Sequence, residues 1–229
     1  MDMKYGLIAE SLRINEAIYD CFSFLNEKEQ KKFVKKFKEQ PHSEIQIMHT
    51  FHELLLGAYL SKNSFVVDND HKIGNKTPDW SILDSSYDVV AIVEMVNHHI
   101  DNKTNDYILA QLKAGKKALG YFPNGNDPDH NHLYSHIQDK ACKYKDLVAK
   151  INVPYVVAVF IDFIAVIDVQ ETKDCLMNGD EPLFKLYPDL SGVLHFEETN
   201  RGSYCFSFIE NPYALRRIDI PSGYLMKNS

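Results

Sequence analysis

Apolar residues recur along this chain with two periods, and the switches between them divide it into helices and strands. Residues 1–40 carry a helical pattern, in which Phe33, Val34 and Phe37 stand among Lys28, Lys31, Lys32, Lys35, Lys36 and Lys38. Pro41 ends that stretch. Ser43 offers a cap for a second helix running to about Ser61, whose strongest apolar stripe is Met48, Phe51, Leu55, Ala58 and Tyr59. Short apolar runs at Phe65–Val67, Trp80–Leu83 and Val89–Val96 predict three strands, the last two joined by a hairpin loop over Ser85, Ser86, Tyr87 and Asp88. A helix is predicted over Asn105–Leu119, a loop over Pro123–Asn131, and another helix from about His132 to Lys150. The β-branched run Val156–Ile167 reads as one bent strand or two. Alternation at Val193–Phe196 and Tyr204–Ile209 predicts a closing hairpin.

These elements describe a single α/β domain over residues 1–229. A helical extension (1–42) precedes a core of helix, three strands, helix and strand (43–168), and a β-rich extension (169–229) follows. The chain has 45% hydrophobic residues, ordinary for a protein with one sizeable core. Its formal net charge of -7 argues against a protein that coats nucleic acid, yet leaves room for an enzyme with one local basic patch. The four cysteines, Cys21, Cys142, Cys175 and Cys205, form no CxxC pair and read as reduced thiols of a cytoplasmic protein. The longest apolar run, Val153–Val169, is broken by Asp162 and Asp168, so it is expected to be buried strand with no membrane span.

The candidate chemistry begins with two acids. If Ser85–Asp88 form a four-residue loop, Asp84 pairs with Val89, and counting outward sets Asp79 opposite Glu94. Directly opposed side chains share a sheet face at about 5 Å between Cβ atoms. Glu94 lies inside an apolar strand, where an unpaired charge is costly, and two facing carboxylates repel. A hard divalent cation, Mg²⁺ or Mn²⁺, answers both problems. The plainer alternative has Asp79 capping a turn after Pro78 while Glu94 meets a buried Lys or Arg.

The helix from His132 places Leu133, Ile137, Ala141, Tyr144, Val148 and Ile151 in one stripe. Lys140 falls within it, Lys143 at its edge and Lys145 outside. A lysine on a buried face needs a snorkelling route or an anionic partner, and Asp79 and Glu94 are candidates.

Pro78-Asp79, then fourteen residues, then Glu94 within Val89–Val96, resembles the motif of the PD-(D/E)XK nuclease superfamily. The segment Lys140–Tyr144 followed by Pro154–Phe160 is similar to the helix and strand that close that family's core. The resemblance covers roughly residues 45–168 and implies a restriction-endonuclease-like fold and metal-dependent cleavage of DNA or RNA. It implies Asp79, Glu94 and the Met95 carbonyl as metal ligands. The family places a lysine two residues after the acid, where this chain has Val96. Some members carry that lysine on the neighbouring helix, and Lys140 fits that variation. Glu53 matches the acidic residue that the family often contributes from its first core helix, although it projects opposite that helix's strongest apolar stripe. On this reading Lys31, Lys32, Lys35 and Lys36 are candidate phosphate contacts, against the plainer view of a solvated helix face. A homodimer is one option for assembly.

Two alternatives belong to other classes. Val96 favours a non-catalytic protein of the same fold that binds nucleic acid or a protein partner. Asp127, Asp129, His130, His132 and His136 form a second cluster, in which His130, His132 and His136 could build a zinc hydrolase site, though a polar loop entering a helix explains the cluster as well. His49, His52 and Glu53 do not form HExxH, and His98 and His99 end the strand of Glu94. No glycine loop for phosphates and no GxSxG elbow is present.

Overall fold

The computed structural model describes residues 12–39, 44–98, 128–162, 167–178, 181–199 and 203–226. The protein has a mixed α/β fold built on one seven-stranded sheet. Three helices come first: α1 (Leu12–Phe24), α2 (Glu27–Glu39) and α3 (Glu44–Lys62). Strands β1 (Val66–Asn69), β2 (Trp80–Leu83) and β3 (Val89–His98) follow, then helix α4 (Pro128–Ile151) and β4 (Tyr155–Ile161). Helices α5 (Val169–Met177) and α6 (Leu183–Leu186) precede β5 (Gly192–Glu198), β6 (Tyr204–Glu210) and β7 (Gly223–Leu225). The strands lie in the sheet in chain order. The β3–β4 and β4–β5 pairs are parallel and the other four pairs antiparallel.

The two sheet faces carry separate cores. Val93, Met95, Trp80, Ala158 and Phe206 pack against α1–α3. Ile92, Val96, Val157, Val159 and Val193 pack against α4–α6. The central parallel strands are therefore buried on both sides, which is why their sequences are nearly continuous apolar runs. Helix α3 is buried from Phe51 to Leu60, with no solvent face over that span. Gly57 lets it approach the sheet: a Cβ there would lie 1.9 Å from the Trp80 ring.

Several expectations need correcting. Among the described residues 12–39 the expected helical block is two helices, because Asn26 breaks it and its side chain accepts the Glu29 N–H (3.0 Å) as a cap. The last helix of the core starts at Pro128, four residues before His132, with proline in the first helical position that suits it. The stretch expected as a β-rich extension, 169–229, holds β5, β6 and β7, with α5 and α6 before them. An Asp168–Glu171 capping box, a readable signal in the sequence, starts α5. The β2–β3 loop is also one residue shorter than expected. Asp84 N–H bonds the Asp88 carbonyl (2.9 Å), and Tyr87 takes the left-handed conformation (φ 64°) that a three-residue loop requires. Leu83 then pairs with Val89, and a register shift restores Ile82↔Ala91. The two one-residue offsets cancel, so beyond the bulge the register is the expected one. Ser43, the expected 105–119 helix and residues 99–127 in general lie outside the described residues.

His195 on β5 is buried against α5, its Nδ1 sharing a 3.0 Å hydrogen bond with Thr172 Oγ1 while Nε2 has no hydrogen-bond partner among the described residues. Burial lowers its pKa from 6.5 to about 4, outweighing the nearby Asp168 charge. Between those values the unfolded chain binds a proton that the folded chain does not, so stability is lost as pH falls below about 6.5. Urea unfolding at pH 5 should give about 2 kcal/mol less stability than at pH 7 from this group alone. His195→Gln should lose that part of the acid sensitivity; an identical pH dependence in both proteins would remove His195 as its source.

Candidate functional site

Trp80 pairs with Val93, so one further step along the ladder sets Asp79 opposite Glu94. Both follow the alternation of Ile92 and Val96 and face α4. The two acids hold each other's strands. The Asp79 N–H donates to Glu94 Oε1 (3.0 Å), and the Met95 N–H donates to Asp79 Oδ2 (2.7 Å). Continued two residues further, the register puts Pro78 opposite Met95, and proline has no N–H to give to the Met95 carbonyl, so the ladder stops there. Glu94 is fully buried, whereas the Asp79 side chain is 30% exposed.

Helix α4 covers this pair with Leu133, Ile137, Ala141, Tyr144 and Val148 buried against the sheet. Lys140 lies three residues after Ile137 and four before Tyr144, at the edge of that stripe, and is half-buried. Its Nζ donates to Glu94 Oε2 at 2.7 Å and lies 3.6 Å from Asp79 Oδ2. Burial disfavours its charge, but Asp79 and Glu94 outweigh burial and raise its pKa. Tyr155 OH donates to the Lys140 carbonyl (2.9 Å), tying this turn of α4 to β4. Val96, where the PD-(D/E)XK motif has lysine, is a buried core contact on the same sheet face.

Two further lysines reach the site. Lys143 Nζ lies 3.5 Å from Glu94 Oε2 and 4.9 Å above the Tyr144 ring. Lys76, in the β1–β2 loop, lies 5.8 Å from the same ring centre. Tyr144 itself is fully buried, its hydroxyl donating to the Thr77 carbonyl (3.1 Å). The helical period put Lys143 at the stripe's edge, and nothing local in the sequence linked Lys76 to Tyr144.

Glu53 meets the site from the other sheet face through an intermediary. Asn69 Nδ2 donates both to Glu53 Oε1 and to the Asp79 carbonyl (2.7 Å), and Lys36 Nζ pairs with Glu53 Oε1 (2.8 Å) and Asp70 Oδ2 (2.8 Å). Burial, with the Asp79 charge adding and Lys36 opposing, pushes the Glu53 carboxyl up to about 7. The sequence reading missed Asn69, because its role depends on β1 pairing with β2.

The α2 lysines are engaged with acids. Lys32 and Lys36 turn inward, Lys32 to Asp68 (2.6 Å) and Glu29 (3.1 Å). Lys31 and Lys35 are exposed but pair along the helix with Glu27 (2.6 Å) and Glu39 (3.7 Å). On the remaining cluster, His132 and His136 are exposed, and the His136 ring sits edge-on to the buried His98 ring at 5.8 Å. The side chains of Asp129 and His130, with Asp127 and His99, lie outside the described residues. Among the described residues no group of three or more His, Cys, Asp or Glu is arranged to hold a metal, and no helix is long and apolar enough to cross a membrane.

A family-model scan and searches of curated proteins and solved structures return no match for this chain.

Proposed function

We propose that this protein is a metal-dependent nuclease of PD-(D/E)XK type, hydrolysing phosphodiester bonds of DNA or RNA with Mg²⁺ or Mn²⁺. The observation that carries the reading is Lys140: a lysine from the neighbouring helix bonded to the opposed acids Asp79 and Glu94. The element order of helix, three strands, helix and strand agrees with it. Asp79 and Glu94, with the Met95 carbonyl, would supply the hard oxygen donors that such a cation takes. The donor set is small, which suits Mg²⁺, because that ion keeps several waters. When bound, the metal would lower the pKa of water and offset charge on the phosphoryl group. Lys140, held protonated by its two carboxylates, would act as a charged hydrogen-bond donor toward the reacting phosphate and not as a base. Glu53, joined to Asp79 through Asn69, would set the position of the Asp79 main chain.

A second reading, a non-catalytic protein of this fold that binds nucleic acid or a protein partner, is favoured by Val96 in the usual lysine position. Purified protein should be incubated with plasmid, single-stranded DNA and RNA, with Mg²⁺ or Mn²⁺ and with EDTA. Cation binding is read in parallel by calorimetry. Cleavage that needs the cation, with cation binding lost in Asp79→Ala, is the expected result. Intact substrates together with no cation binding would leave only the second reading.

A further inference from the structure

The charges around the two acids do not balance. Lys140 and Lys143 pair with the two acids, at 2.7 Å and 3.5 Å from Glu94 Oε2, and Lys76 lies 5.8 Å from the centre of the Tyr144 ring that Lys143 also approaches. Two acids thus face two paired lysines, so Lys76 is the cation in excess, and the Lys143 side chain is 48% exposed. Among the described residues no carboxylate pairs with Lys76. The α2 face is the opposite case, since Lys28, Lys31, Lys32, Lys35 and Lys36 each have a carboxylate within 4 Å. A net cationic patch beside an acid pair is the field that attracts a polyanion to the site. Both ammonium groups lie against one buried ring, 4.9 Å and 5.8 Å from its centre, and the ring's hydroxyl is tied to Thr77.

We propose that Lys76 and Lys143, gathered on the Tyr144 ring beside Asp79 and Glu94, bind the phosphate backbone of the nucleic acid strand next to the bond that is cut. This surface rests on the nuclease reading and gives it a place for substrate. It assigns the backbone contacts to the α4 side of the sheet in preference to α2. Contacts of this kind carry no base sequence, so they serve any sequence equally.

The test measures anisotropy of a fluorescein-labelled oligonucleotide, duplex and single-stranded, with full-length protein in EDTA over a range of KCl. Lys76→Gln/Lys143→Gln is compared with Lys145→Gln/Lys150→Gln, an equal charge change elsewhere on the protein surface. Losing two phosphate contacts should reduce the log–log salt slope by about 1.8 for duplex or about 1.4 for single strand. The control pair should keep the wild-type slope. In a cleavage assay Lys143→Gln should raise KM with little change in kcat. This single variant, at an exposed position, serves if the double variant fails to fold. A wild-type slope in Lys76→Gln/Lys143→Gln, an equal drop in the control pair, or no binding of either strand form by the wild type would overturn the proposal. Asp79→Ala cleavage on the same preparations keeps the two ideas apart. If cleavage is metal-dependent and lost in Asp79→Ala while the salt slope is unmoved, only the Lys76–Lys143 surface falls. If no cleavage occurs but the slope drops, the surface stands and the catalytic reading falls.

Discussion

Lys140→Ala is expected to cut turnover by roughly two to three orders of magnitude, while Lys145→Ala leaves it unchanged. The reason is position and charge. Lys140 Nζ is 2.7 Å from Glu94 Oε2 and 3.6 Å from Asp79 Oδ2, so on the proposed reading it would reach a phosphate bound through a cation on that pair. Its raised pKa keeps it charged across the neutral range. Removing one such donor to developing charge typically costs about 2.7–4 kcal/mol of transition-state stabilisation. Lys143 is longer-range and more exposed, so it does not replace Lys140, and Lys143→Ala should act on KM. Because Lys140 works as a cation, its substitution should lower the rate at every pH and not move an acid-side limb of the profile. Glu94 would be left buried with one donor fewer, so circular dichroism and thermal unfolding must accompany the assay. Wild-type turnover in a folded Lys140→Ala protein would end the displaced-lysine mechanism, since Val96 offers no substitute.

Gly57→Ala should destabilise the fold far more than a surface Gly→Ala change in a helix. Alanine favours helix over glycine by roughly 0.8–1.0 kcal/mol, so propensity alone predicts a gain. Packing reverses the sign. The new methyl would sit 1.9 Å from one ring carbon of Trp80 and 2.3 Å from another. Trp80 cannot step aside: it is fully buried, stacks on Phe33 with ring centres 5.7 Å apart, and donates its indole N–H to the Glu53 carbonyl (3.0 Å). Overpacking of this kind costs about 1–3 kcal/mol or more, and at this chain length each kcal/mol lowers Tm by about 2–4 °C. Trp80 is the sole tryptophan, so its fluorescence reports the displacement directly. Asp79 is the preceding residue, so at the proposed metal site cation affinity should fall with stability. Trp80→Phe in the Gly57→Ala background should recover part of the loss. A Tm at or above wild type in Gly57→Ala would show that the helix–sheet approach is looser than described.

The sequence alone determined what repeats with a local period. The 3.6-residue stripe of α4 aimed Lys140 at the sheet without reference to any partner. The period-2 pattern and turn residues of β2 and β3 gave the pairing of Asp79 with Glu94, even though the loop was read one residue too long. The bulge between Ile82 and Leu83 compensates, because burial of Ile92 and Trp80 on opposite faces penalises any other register downstream. Tertiary structure decided everything that depends on neighbours distant in the chain. Only the β1–β2 pairing brings Asn69 between Glu53 and Asp79, and only the packing of the β1–β2 loop on α4 places Lys76 over Tyr144. The α2 lysines show the same limit from the other side. Their spacing announced a charged face, but whether that face meets phosphate or carboxylate depends on Asp68, Asp70 and Glu53, which the fold delivers from β1, the turn after it and α3. A charge's partner is chosen by distance in space, which hydrophobic periodicity does not encode.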